Sequence, residues 1–135
     1  MKVDLHVHTT ASDGMLSPAE MVQFAQKRGI SVLSVTDHDT IDGVLEAQRA
    51  AKTLKLIRGV ELSAQWEEMH ILGYCIDPES PELQETLFKL RLSRDRRNPQ
   101  IVARLRQLGM DITIDEVKEE GKGSMGRPDV YKRQA

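Results

Sequence analysis

Three short runs rich in apolar and β-branched residues, separated by two segments of helical periodicity, fill residues 3 to 63 and constrain the fold more than any other feature. Val3, Leu5 and Val7 alternate with Asp4, His6 and His8, the period of two of a strand with one apolar face. SPAEMVQFAQKRG, residues 17 to 29, predicts a helix with Ser17 as N-cap, Pro18 in the first helical position, Glu20 completing a capping box and Gly29 as the stop. SVLSVT, residues 31 to 36, is a second strand, and Val44, Ala47, Ala51 and Leu54 predict a helix from Asp42 to Lys52. LKLIRGVELS and MHILGYCI then read as two more strands. Strand and helix in alternation predict an α/β fold with a parallel sheet and right-handed crossovers. In such sheets ligands gather at the carboxyl ends of the strands. His6 and His8 end the first strand, Asp37 and His38 the second, Glu61 lies near the end of the third, and His70 lies within the fourth.

From Ser80 the pattern turns helical. Leu83, Leu87 and Leu90 form an apolar stripe that Ile101, Leu105 and Leu108 resume, with a kink or break expected at Asn98-Pro99. Gly109 closes this run, and Thr113 with Glu116 predicts a capping box for a last short helix. GKGSMG, residues 121 to 126, reads as a flexible loop. At 135 residues the chain suits one core, and its net charge of -2 gives no overall bias toward nucleic acid or anionic membrane. No window approaches the roughly 20 apolar residues of a membrane span. The N-terminus lacks the apolar run of a signal peptide, and the single Cys75 excludes an internal disulfide, so a reducing cytoplasm is the expected location.

Residues two apart on a strand share a face, so His6 and His8 can reach one ion together. An isolated pair of this kind is more often a solvated strand face, but all four histidines fall at strand ends or inner faces within the first 70 residues, beside Asp13, Asp37, Asp39 and Glu61. Asp13-Gly14 alone could be a turn, and His70 alone a hydrogen-bonded core histidine. Thr40 and Asp42 are expected to cap the following helix, which leaves Asp37, His38 and Asp39 without a structural need. Glu61, between Val60 and Leu62, requires a cation or donors. Imidazole with carboxylate suits zinc, manganese or iron(II), and the lack of clustered cysteine excludes a zinc knuckle.

DLHVHTTASDG, LSPAEMVQFAQKRG, VTDHDTIDG, GVELSA and HILGY, in this order and spacing, resemble the PHP (polymerase and histidinol phosphatase) family of metal-dependent phosphoesterases. Within it the likeness is to the branch acting on nucleoside 3',5'-bisphosphates and short oligonucleotides. The resemblance implies the N-terminal part of a distorted (β/α)7 barrel, residues 1 to 78, and a helical insertion, residues 79 to 128. It implies a cluster of up to three divalent ions (manganese, zinc or iron). His6 and His8 would hold a first, Glu61 would bridge to a second also bound by His70, and Asp13 with His38 would hold a third. A bound ion lowers the pKa of its water from about 15.7 toward ~7, so hydroxide can attack phosphorus and no side-chain nucleophile is needed. The expected partner is a small phosphorylated substrate such as a nucleotide, with neither a membrane nor a stable nucleic-acid complex. Lys89, Arg91, Arg94, Arg96, Arg97, Arg104 and Arg106 crowd the long helix with Asp95 as the nearby counter-charge. The apolar stripe continued by helical steps lands on Arg94 and Arg97, so these and Arg127 are expected to grip a second substrate phosphate.

The chain departs from the family in having no histidine after His70, where a further histidine and an Asp-x-His complete the cluster, and Asp129 follows GRP where a histidine is usual. DVYKRQ, residues 129 to 134, translates GAT GTG TAT AAG AGA CAG, which resembles a transposon adapter end, so residues 129 to 135 are expected to be non-native. An unclosed barrel would expose an edge and an apolar face, so the chain is expected to be poorly stable or to associate, with activity residing in a complete parent. Two other readings fit some of the residues. One is an amidohydrolase-type metal hydrolase, which also opens with HxH; the other is a non-catalytic metal-binding or polymerase-docking module.

Overall fold

The computed structural model describes residues 1–64 and 69–120. Its elements are β1 (Lys2–Val7), α1 (Pro18–Lys27), β2 (Ile30–Val35), α2 (Val44–Ala50), β3 (Lys55–Ser63), β4 (His70–Tyr74), α3 (Pro81–Gln107) and α4 (Ile114–Glu120). The strands form one sheet in the order β1-β2-β3-β4, the first three parallel and β4 antiparallel to β3. The link between Ser63 and His70 is too short for a parallel crossover, so the fourth strand must return as a hairpin.

Local signals set the first helix. Ser17 Oγ accepts from the Glu20 amide at 3.3 Å while Glu20 Oε2 accepts from the Ser17 amide at 2.9 Å. Gly29, at φ +73°, turns the chain into β2. Replacing Ser17 by Ala should lower the unfolding free energy by about 1 kcal/mol, read from urea denaturation. Helix α2 differs from expectation. It begins at Val44 with Gly43 as N-cap and no side-chain cap, and the Thr40 hydroxyl accepts from the Asp42 amide instead.

Val22, Ala25, Leu33, Val35, Ala47 and Leu54 form the core between α1, α2 and the sheet, with Val7, Ile30 and Leu56 at its margin. By the period of two, Val7 faces these helices and His6 faces away from them, on the same side as Gly59 and Glu61. Gly59 is required there, because a Cβ would meet Ser34 Oγ at 2.4 Å and Thr36 Cγ2 at 2.7 Å. Tyr74 Oη donates to the Leu5 carbonyl at 3.1 Å, tying the last strand to the first and curling the sheet. Val3, Leu5 and Ile71 remain exposed.

The long helix runs through Pro99 without ending, contrary to a break there. Its buried positions are Leu87, Arg94, Asn98, Val102 and Leu105. The stripe therefore passes through Asn98, whereas Arg97 is exposed. Lys89 pairs with Glu85 at 2.6 Å, a counter-charge beyond Asp95. A second small core of Val102, Leu105, Ile112 and Val117 joins α3 to α4, and Thr113 with Glu116 makes the expected reciprocal cap. No helix among the described residues is long and apolar enough to cross a membrane.

Candidate metal centre

All four histidines of the chain converge on one carboxylate. Glu61 Oε2 lies 2.8 Å from His6 Nε2, 2.8 Å from His8 Nε2 and 3.6 Å from His38 Nδ1, and Oε1 lies 2.7 Å from His70 Nδ1. Asp13 joins from the other side, its Oδ1 at 2.7 Å from His8 Nδ1 and its Oδ2 at 3.8 Å from His38 Nε2. Parallel strands explain the convergence. β1 and β2 deliver His6, His8 and His38 at their carboxyl ends, a parallel bridge sets His38 beside Glu61, and the hairpin folds His70 back over Ser63. His70 is half exposed, so it is not a core histidine.

Three overlapping groups of side chains could each hold an ion, with donor atoms within 4.8 Å of one another: His6, His8 and Glu61; His8, Asp13 and His38; His38, Glu61 and His70. The donor chemistry fits a divalent cation. His38 Nδ1 is buried with no hydrogen-bond partner, and its 3.6 Å approach to Glu61 is too long for a hydrogen bond. A cation between them would satisfy both atoms. A neutral imidazole offers one lone pair, so His8 and His38, each in two groups, can commit to only one ion apiece. The groups are one linked cluster and not three independent sites.

Electrostatics follow the same geometry. The hydrogen bond to Asp13 raises the His8 pKa, with burial working against it. Burial pushes the Asp13 carboxyl up, but the His8 hydrogen bond and the His38 and His8 charges outweigh it and bring its pKa to about 2. Burial lowers the His38 pKa to about 4, against the pull of Glu61. Burial also pushes Glu61 up, and the bonds and charges of His6, His38 and His70 leave it lowered on balance. His38 is therefore neutral near pH 7, the form that binds metal. Because its folded pKa lies below the unfolded 6.5, its contribution to metal-free stability is complete above pH 6.5 and is lost as pH falls toward about 4. Chelated wild type should lose more unfolding free energy than His38→Asn between pH 7.5 and 5, read from urea denaturation at each pH.

Two residues not expected to have structural work carry much of it. Asp37 is buried and accepts from the Thr9 amide at 2.7 Å, the Thr9 hydroxyl at 2.7 Å and the Ser12 hydroxyl at 2.6 Å, pinning the loop that bears Asp13. Asp39, at φ +53° and fully buried, accepts from the Ser63 amide at 2.7 Å and pairs with Arg94 at 2.8 Å. Gly14 closes the Asp13 loop against the backbone of residue 8, where a Cβ would lie 2.4 Å from the His8 carbonyl oxygen. A Gly14→Ala change should displace this loop and weaken metal affinity, with the fold retained by circular dichroism.

The cationic residues separate. Arg94 is buried, pairs with Asp39 and also donates to Ser63 Oγ at 2.7 Å. Arg97 is exposed on α3. Arg127 lies outside the described residues, as do the 121–126 loop and residues 129–135.

Three parallel strands with helical crossovers, an antiparallel fourth strand and an imidazole-carboxylate cluster at the strand ends define an α/β fold carrying a candidate metal centre. The family model for the PHP domain matches residues 4–119, and the chain belongs to this family. It is similar to a 5'-3' exoribonuclease of Haemophilus influenzae, 41% identical over 130 residues, which cover 93% of this chain and 47% of that protein. A 3',5'-nucleoside bisphosphate phosphatase of Chromobacterium violaceum is 38% identical over 117 residues, covering 84% of this chain and 41% of its own. Among solved structures, an amidohydrolase from Chromobacterium violaceum with bound sulfate superposes with a TM-score of 0.89 at 32% identity, covering 98% of this chain and 49% of its own. A metal-dependent phosphoesterase from Bifidobacterium adolescentis gives 0.84 at 33% identity, covering 97% and 49%. The chain thus spans about half the length of the relatives it matches, and the sheet is the N-terminal part of a barrel.

Proposed function

We propose that this chain is the metal-bearing part of a metal-dependent phosphoesterase that hydrolyses phosphate monoesters of small nucleotides, such as nucleoside 3',5'-bisphosphates or short oligonucleotides. The observation that carries the reading is the convergence of every histidine of the chain on Glu61. His6, His8 and Glu61 would hold a first ion; Glu61 and His70, with His38 in reach, a second; Asp13 and His38 a third. Further ligands for the cluster would come from the remainder of a complete protein. Divalent ions bound there would supply a more acidic water and neutralise charge on the phosphoryl oxygens.

The chain's own residues prepare that chemistry. Asp13 accepts the Nδ1 proton of His8, which leaves the Nε2 lone pair facing Glu61 and His6, the arrangement by which a carboxylate orients a metal-binding imidazole. Asp37 holds the loop that presents Asp13. Arg94, Arg97 and Arg127 would supply the charge that grips a second substrate phosphate. Support for the substrate class comes from the names of the relatives, a bisphosphate phosphatase and an exoribonuclease. The test is phosphate release from a nucleoside 3',5'-bisphosphate by the complete protein, before and after chelation and on re-addition of manganese or zinc. Metal-dependent release supports the reading, whereas turnover of amides without phosphate esters would place the protein with the amidohydrolases.

A further inference from the structure

The Asp39 side chain, Ser63 and Arg94 close a ring that joins three separate elements. Asp39 Oδ1 accepts from the Ser63 amide at 2.7 Å, Asp39 Oδ2 faces Arg94 Nε at 2.8 Å, with the N–H off the line between them, and Arg94 Nη2 donates to Ser63 Oγ at 2.7 Å. Asp39 comes from the β2–α2 connection, Ser63 from the end of β3 and Arg94 from the middle of α3. Asp39 directly follows His38, and Ser63 lies two residues after Glu61. The backbone repeats the connection, with the Asp39 amide donating to the Glu61 carbonyl at 2.9 Å and the Glu61 amide to the Asp37 carbonyl at 3.1 Å.

We infer that this ring is a positioning device: helix α3, through Arg94, fixes the spacing of His38 and Glu61 and so sets the metal affinity of the centre. The inference rests on the metal-centre reading above. Its physical basis is the cost of the arrangement. A carboxylate with no exposed surface and a buried guanidinium lose their hydration, and a non-glycine residue in the left-handed region adds local strain, so the ring persists only where surrounding contacts fix it. What it fixes is the relative placement of His38 and Glu61, 3.6 Å apart at their nearest polar atoms and each a member of two candidate groups. If either strand end shifts by a few tenths of an ångström, the two side chains move relative to the ions they would hold and the cluster loses its geometry. Arg94 thereby ties the helical segment to the sheet as a positioning residue.

The experiment is equilibrium dialysis of the full chain against manganese(II), comparing wild type with Arg94→Met, Arg94→Lys and Ser63→Ala, and with His8→Ala as a direct-ligand control. Thermal unfolding in chelator serves as a separate readout of stability. Arg94→Met should weaken manganese binding by about 10- to 100-fold in the folded protein, Arg94→Lys should recover part of the loss, and Ser63→Ala should weaken binding by about threefold. A solely structural role would lower the unfolding temperature in chelator yet leave the affinity of the folded protein unchanged. That result for Arg94→Met, with His8→Ala still impaired, would overturn the inference and leave the metal centre standing. If Arg94→Met does not fold, unchanged binding by Ser63→Ala overturns it instead. Failure of wild type to bind manganese or zinc would overturn both.

Discussion

Replacing Glu61 by Gln should lower the kcat of the phosphoesterase activity proposed for the complete protein by roughly 10³-fold or more. The estimate follows from the several kcal/mol that bound ions contribute to a phosphoryl transition state, at 1.36 kcal/mol per factor of ten. Glu61 is the side chain on which the whole cluster depends, since two of the three candidate groups include it and each of the four imidazoles approaches it. Gln keeps the shape and one acceptor oxygen but loses the charge that attracts a divalent ion. Its amide would also point donors at imidazole nitrogens. Steady-state phosphate release with manganese in excess checks the effect. A loss smaller than tenfold would mean that Glu61 does not bridge ions during turnover.

The largest effect on stability is expected at Asp37. An Asp37→Ala change strands the Thr9 amide and the Thr9 hydroxyl in a buried site and leaves the Ser12 hydroxyl only Asp13 Oδ1, at 3.3 Å. At about 1 to 3 kcal/mol for each stranded group or charge-assisted bond, partly offset by water entry, the net loss should be about 3 kcal/mol or more. The same change frees the loop that carries Asp13, so metal affinity should fall along with stability. Urea denaturation in chelator gives the first effect and metal titration of the folded protein the second. Asp37→Asn, which retains one acceptor oxygen, should lose less of both.

These two residues mark where the sequence could and could not be read. The His6 and His8 pair was legible because its geometry is local: two residues on one strand share a face whatever the rest of the chain does. The Ser17 and Glu20 cap was legible for the same reason, being closed within one turn of helix. Asp37 and Asp39 carry no such local mark. Their partners lie 24 to 28 residues away at Thr9, Ser12 and Ser63, or still further off at Arg94, and only the pairing of strands brings them near. Thr40 and Asp42 do not cap α2, which starts later, at Val44, without a side-chain cap, and Asp37 and Asp39 serve those distant partners instead.

The arginines show the same limit from another side. Helical steps from Leu83, Leu87 and Leu90 correctly lead to Arg94 as a buried position, but burial gave its guanidinium a carboxylate partner inside the protein. One residue on, periodicity favours Asn98 over Arg97, since the Leu87, Arg94, Asn98, Val102 and Leu105 positions share the inward face. Of the kink or break expected at Asn98-Pro99, the break is absent, because loss of one amide donor did not end a helix held by Val102 and Leu105 against α4. The return of β4 as a hairpin, by contrast, was already contained in the short distance from Ser63 to His70.

The central claim is that the imidazoles gathered on Glu61 hold a divalent ion. X-ray absorption at the metal edge, on the full chain loaded with zinc and freed of excess by dialysis, tests it most directly. The expected result is retained metal whose nearest neighbours are nitrogen and oxygen at about 2.0 to 2.2 Å, with the outer-shell scattering of at least two imidazole rings, and loss of that pattern in Glu61→Gln. Metal that washes out on dialysis, or that shows oxygen neighbours without imidazole scattering, would contradict it.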